Sequence, residues 1–121
     1  MPFTELKSYV PLAAGQRRLY DALREAVPII DAAIGKILRL IGEFTIKTSD
    51  KTIQNSINRF LQNVQVNTSQ LGVQSFIDSY LSQLLTYGNA VGEMVVRDGE
   101  IAALYNASLD DVELKAVSPL E

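Results

Sequence analysis

The 121-residue chain contains no histidine, no cysteine and no tryptophan. Without cysteine there is no disulfide framework, no thiolate nucleophile and no iron–sulfur cluster. Without histidine there is no imidazole base for a Ser-His-Asp triad and no His/Cys zinc site. Phosphate-binding glycine motifs are missing too: there is no G-x-G-x-x-G, and Lys51-Thr52 lacks the preceding glycine of a P-loop. What remains is carboxylate, lysine or tyrosine chemistry, oxygen-ligated metals, or no bond chemistry at all. With 47% apolar and 21% charged residues, the composition is that of an ordinary folded domain rather than a disordered segment.

Charge is unevenly distributed. The net charge is -3, so the chain as a whole is not a nucleic-acid-binding polycation. Residues 1–60 carry +3 and residues 61–121 carry -6, an asymmetry that marks a surface meeting partners of different sign or ordinary scatter over a small surface. The basic group Arg17, Arg18, Arg24, Lys36 and Arg39 is interspersed with Asp21, Glu25 and Asp31, which favours pairing on a helix surface, Arg17 with Asp21 four residues on, over phosphate binding. Tyr20, Tyr80, Tyr87 and Tyr105 suit core or interface packing rather than base stacking. The start, Met1-Pro2-Phe3-Thr4-Glu5, is not a secretory signal. The most apolar stretch, Ala26 to Ile41, is interrupted by Asp31, Lys36 and Arg39 and is no membrane span, which needs about 20 predominantly apolar residues. These features predict a cytoplasmic chain.

Residues 1–16, with Pro2, Pro11 and Gly15, read as a loose arm, and residues 17–121 as one domain. From Arg17 to Ile41 apolar residues recur at helical spacing, and Pro28 imposes a kink or divides the segment into two helices. Gly42 suits a helix end. Phe44 and Ile46 alternate with Glu43, Thr45 and Lys47, which predicts a short strand. Ser49-Asp50 caps a helix carrying Ile53, Ile57, Phe60, Leu61 and Val64 on one face. Asn67-Thr68-Ser69 caps another, from about Gln70 to Tyr87, with Val73, Phe76, Ile77, Tyr80, Leu81, Leu84 and Leu85 on its apolar face. Asp98-Gly99 between apolar runs predicts a type I′ hairpin, and a third strand is expected from Asp111 to Val117. The expected class is α+β: an N-terminal helix, a short strand, two amphipathic helices, then an antiparallel β-meander.

Two groups of polar residues are candidates for function. The face Gln74, Ser75, Asp78, Ser79, Ser82 and Gln83 carries a single charge. Such a face suits burial against another chain or domain, because amides and hydroxyls pair without ion desolvation; a plainly hydrophilic surface is the alternative. Asp110, Asp111 and Glu113 could ligate a divalent cation through oxygen, but no glycine-containing calcium loop surrounds them and a charged strand edge explains them better. No catalytic, metal or cofactor residues are assigned.

The segment Tyr87-Gly88-Asn89-Ala90-Val91-Gly92-Glu93-Met94-Val95-Val96-Arg97-Asp98-Gly99-Glu100-Ile101-Ala102-Ala103-Leu104-Tyr105, followed by Asp110-Asp111-Val112-Glu113-Leu114, resembles the core of tailed-bacteriophage portal proteins. Upstream, Val27-Pro28-Ile29-Ile30-Asp31-Ala32-Ala33-Ile34 and Arg39-Leu40-Ile41-Gly42 resemble the family's early helix. The likeness spans roughly residues 17–117 and rests on the ordered combination. It departs at Asn106-Ala107-Ser108-Leu109, where the family usually has a proline-containing loop. The resemblance implies an architectural, non-enzymatic protein without cofactors, found in the virion and the host bacterial cytoplasm. It implies a dodecameric ring of identical subunits at the capsid vertex, through which double-stranded DNA is packaged and ejected. The implied partners are the terminase large subunit, the capsid and the head–tail connector proteins, with no membrane. Family members are several times longer, so the chain would be part of the peripheral wing, with a reading frame that continues past Glu121. Two other classes compete with this expectation: a self-contained α+β interaction module of another assembly, and a small oxygen-metal or carboxylate enzyme.

Overall fold

The computed structural model describes residues 14–112. Four helices precede one β-hairpin, an α+β arrangement. Helix α1 spans Ala14–Ala26, so residues 14–16, assigned to the arm from sequence, form its first turn; residues 1–13 lie outside the described residues. Pro28 forces the break that follows. Val27, held extended by the proline ring after it (φ -116°, ψ 92°), precedes α2, Pro28–Ile41, with the proline in the first turn where no amide hydrogen is needed. Of the two outcomes expected at this proline, two helices is the one formed. Helix α2 ends at Gly42, whose N–H reaches the Leu38 carbonyl at 3.0 Å with φ at +69°.

The strand expected at Glu43–Lys47 does not form: residues 42–48 have no regular secondary structure and pair with no neighbouring strand. A side chain takes up their backbone groups. The Gln54 amide nitrogen donates to the Ile46 carbonyl and its oxygen accepts from the Thr48 N–H, both at 2.8 Å. Helix α3, Lys51–Asn63, starts as expected: the Asp50 carboxylate accepts from the Thr52 and Ile53 N–H groups at 2.8 and 3.1 Å.

Helix α4, Val73–Tyr87, begins three residues later than the sequence suggests. Asn67 does not cap it. The Asn67 side-chain oxygen instead accepts from the Ser69 and Gln70 N–H groups, closing a turn before the helix. The helix entry is Gly72, with φ at +98° and backbone oxygens of Leu61 and Gln62 only 3.1 and 3.2 Å from where a Cβ would stand, a position that admits glycine alone. Gly88 ends α4 in the left-handed region with its N–H on the Leu84 carbonyl.

Strands β1, Gly92–Arg97, and β2, Glu100–Asn106, form the expected hairpin, antiparallel from Gly92↔Asn106 to Arg97↔Glu100. Asp98 and Gly99 sit at φ +53° and +78°, as a type I′ turn requires. Val95 pairs with Ala103 and Val96 with Ile101, so Ala102 is bulged out of the ladder. The meander stops at two strands among the described residues. Asp111 lies in a turn closed by its N–H on the Ser108 carbonyl, and residues 113–121 lie outside the described residues. The outer edge of β2 is met by Gln65, whose carbonyl accepts from the Leu104 N–H at 2.9 Å.

Helix α4 is the hub, packing against α1, α2, α3 and β2. The core is small. Among the described residues the buried hydrophobic side chains are Ile34, Val64, Val66 and Ala103, while fifteen large apolar side chains are exposed. No described helix is long and apolar enough to cross a membrane.

Candidate functional site

The polar face of α4 is engaged by this same chain. Arg24 of α1 reaches across it, donating through Nη1 to Ser82 Oγ and Thr86 Oγ1, both at 3.0 Å, and through Nε to Asp31 Oδ1 of α2, also at 3.0 Å. One guanidinium thus ties three helices, its planar fork matched to a carboxylate on one side and hydroxyls on the other. Thr86 in turn donates to the Ser82 carbonyl at 2.7 Å. Gln83 donates to the Ala107 carbonyl at 3.3 Å, fastening the chain just after β2. Gln74 donates to Asp78 at 2.9 Å and to the Gly42 carbonyl at 3.3 Å, fastening the end of α2. Ser75 donates back to the Leu71 carbonyl, and Ser79 is half-buried. The six residues marked from sequence therefore share one helix, and their hydrogen bonds run to three different segments of the chain. Asp78 stays exposed.

Next to this face, at the C-terminal end of α4, lies a second group. The Tyr87 hydroxyl donates to Asp21 of α1, and Arg17 pairs with Asp110 beyond β2, with its Nε 2.9 Å from Oδ1. Tyr87 has its pKa pushed up to about 12, chiefly because the hydrogen bond to Asp21 favours the neutral phenol, with burial and the charges of Asp21 and Asp110 adding to it and Arg24 opposing. An open cleft of about 340 Å³ is lined here by Arg18, Gln83, Tyr87 and Asn106 among others, and a shallower one of about 620 Å³ lies between α1 and α2 beside Arg24 and Asp31.

The smaller cleft brings the Tyr87 hydroxyl together with the Asp21 carboxylate that it bonds. Among the described residues no group of three or more acidic side chains is placed to hold a metal ion. Asp110, a member of the acidic cluster seen in the sequence, is committed to Arg17; Glu113 lies outside the described residues. Arg24, Tyr87 and Asp21 were not singled out by pattern as a connected unit. Their partners are 58 to 66 residues away, and only the presence of uncharged hydroxyls on α4 hinted that a cation would come from elsewhere.

The remaining conspicuous feature is apolar. Ile29 and Leu40 on α2 are each 75% exposed, and Phe44, Ile46 and Ile53 are exposed around α3. On the hairpin Met94 and Val96 are 58% and 56% exposed. Five apolar side chains around α3, Ile46, Ile53, Ile57, Phe60 and Leu61, line an open cleft of about 380 Å³ together with Thr52 and Ser56. No protein-family model, curated protein or solved structure matches the chain.

Proposed function

We propose that the chain is an architectural subunit, the peripheral wing portion of a tailed-phage portal protein. The observation that carries the reading is the imbalance of its apolar surface. Four hydrophobic side chains are buried among the described residues while fifteen large ones are exposed, among them Ile46 and Ile53 at one cleft and Met94, Val96 and Ile101 on one face of the hairpin. Exposed apolar groups of this kind mark interaction surfaces, and a domain that stands alone normally buries more of them. The helix ending at Gly88, the hairpin turning at Asp98-Gly99 and the strand reaching Leu104-Tyr105 follow one another in the order the resemblance implies, which supports the same reading.

In this reading the chain contributes packing surfaces rather than reactive groups. The full product assembles into a ring at the capsid vertex, meets the terminase large subunit, the capsid and the head–tail connectors, and surrounds double-stranded DNA. The test is the solution mass of the product of the whole open reading frame, by light scattering with negative-stain microscopy. A closed ring is expected. A monomer under all assembly conditions would overturn the proposal and return the chain to the class of self-contained interaction modules.

A further inference from the structure

The hairpin has one occupied edge and one open edge. Two bonds show which backbone groups face each way. The Leu104 N–H reaches the Gln65 carbonyl and so points away from β1; Met94, directly across from it, therefore exchanges no bonds with it. At the base of the hairpin the Val91 carbonyl accepts from the Ala107 N–H and so faces β2. The bulge lies in β2, so alternation along β1 is unbroken. It turns the N–H and C=O groups of Glu93, Val95 and Arg97 toward β2 and those of Gly92, Met94 and Val96 outward. No described residue bonds these outward groups, and Gly92, Met94 and Val96 are all exposed.

Side chains narrow what this edge accepts. Met94 and Val96 share one face with Ile101, which lies opposite Val96, and all three are exposed. Glu93 and Arg97 lie on the other face, at the two ends of the run and opposite in sign, and neither belongs to an ion pair. Native edges are commonly blunted by proline, a bulge or charge along their length. Met94-Val95-Val96 carries none of these.

We infer that β1 accepts an extended segment of a partner polypeptide as an added antiparallel strand. The row of outward main-chain groups supplies the binding and the side chains supply the selection. Partner residues across from Met94 and Val96 exchange N–H···O=C bonds with them in both directions. Their side chains fall on the exposed face of Met94, Val96 and Ile101, so they are apolar. The partner residue across from Val95 turns its own amide away from β1. The one across from Arg97 is acidic and the one across from Glu93 is basic. From its N-terminus the partner segment thus reads acidic, apolar, any residue, apolar, basic. These requirements come from β1 alone and hold whether or not the chain belongs to a portal.

The probe is the peptide acetyl-Glu-Val-Thr-Val-Lys-amide, titrated into the isotope-labelled 121-residue chain and followed by amide NMR. The Met94 and Val96 amides should shift most and gain protection from hydrogen exchange. The reversed peptide, acetyl-Lys-Val-Thr-Val-Glu-amide, sets like charges across from Glu93 and Arg97 and should bind about tenfold more weakly. Glu93→Lys with Arg97→Glu in one chain should reverse that preference. N-methylation of either valine should weaken binding about tenfold or more, because each valine amide donates to β1. N-methylation of the threonine, whose amide faces away, should change it by less than about twofold. No binding at millimolar peptide, equal binding of the two charge orders, or equal loss from all three N-methylations would overturn the inference. Preference for the reversed peptide, with the loss moved to the threonine, would mean a parallel strand and overturn it as well. So would Met94 and Val96 amides already protected in the free chain, since the edge would then be covered by the chain itself or, if protection grows with concentration, by a second copy.

Discussion

Replacing Arg24 by methionine removes a guanidinium while keeping most of its apolar stem, so the expected loss is that of its polar contacts. Three partners are involved. The ion pair with Asp31 has one strongly exposed member, with side-chain exposures of 26% and 59%, and contributes about 0.5 kcal/mol after solvent screening. The bonds to Ser82 and Thr86 are part-buried and share a charged donor; with water able to replace some of what is lost, each contributes about 1 kcal/mol. The total is about 2.5 kcal/mol, which for a unit of this size lowers Tm by about 10–20 °C. Urea unfolding followed by far-ultraviolet circular dichroism measures it. Double-mutant cycles apportion it, with Arg24→Met combined in turn with Thr86→Val and Asp31→Asn. The coupling to Thr86 should exceed that to Asp31, and added salt should erode only the Asp31 part. A destabilisation below about 0.5 kcal/mol, the level of an ordinary surface substitution, would refute the assignment of Arg24 as the tie between α1, α2 and α4. So would a coupling carried wholly by Asp31.

Asp50→Ala should cost about 1 kcal/mol and reduce helical ellipticity, because two amides at the start of α3 lose their acceptor; unchanged unfolding would show that the cap is idle. Gly92→Ala should cost about 1–3 kcal/mol, since its Cβ would stand 2.7 Å from the Phe76 ring, which lies against Tyr80; adding Phe76→Leu should recover part of the loss in the same unfolding assay. Tyr87→Phe should remove a pH-dependent part of the stability. The folded pKa of Tyr87 is raised to about 12 from 10.0, so its contribution is complete below the unfolded value and declines as pH rises through the folded one. The stability difference between wild type and Tyr87→Phe should therefore shrink above pH about 10, and a difference that grows there would contradict the Asp21 hydrogen bond as its cause.

The places where elements start and stop were legible because they are set within a few residues. Pro28 cannot supply an amide hydrogen and constrains Val27, Asp50 caps its own helix, Gly88 takes a left-handed turn, and Asp98-Gly99 supplies two positive φ angles. The polar, nearly uncharged face from Gln74 to Gln83 was legible for the same reason: helical periodicity places those residues together. Which groups would satisfy that face was not. Arg24, Gly42 and Ala107 come to it from distant parts of the chain, and sequence spacing carries no information about such meetings. Alternation at Glu43–Lys47 pointed to a strand, but a strand needs a neighbour to receive its hydrogen bonds, and the Gln54 side chain received them instead. The apolar stripe Ile53, Ile57 and Phe60 was equally visible, yet amphipathicity says only that one side avoids water. Tertiary packing decided that this stripe would be half-buried at Ile57 and Phe60 and exposed at Ile53, and that the hairpin face of Met94, Val96 and Ile101 would be exposed. Local backbone and capping chemistry thus determined the elements of this protein, whereas long-range burial decided which of its surfaces stay exposed.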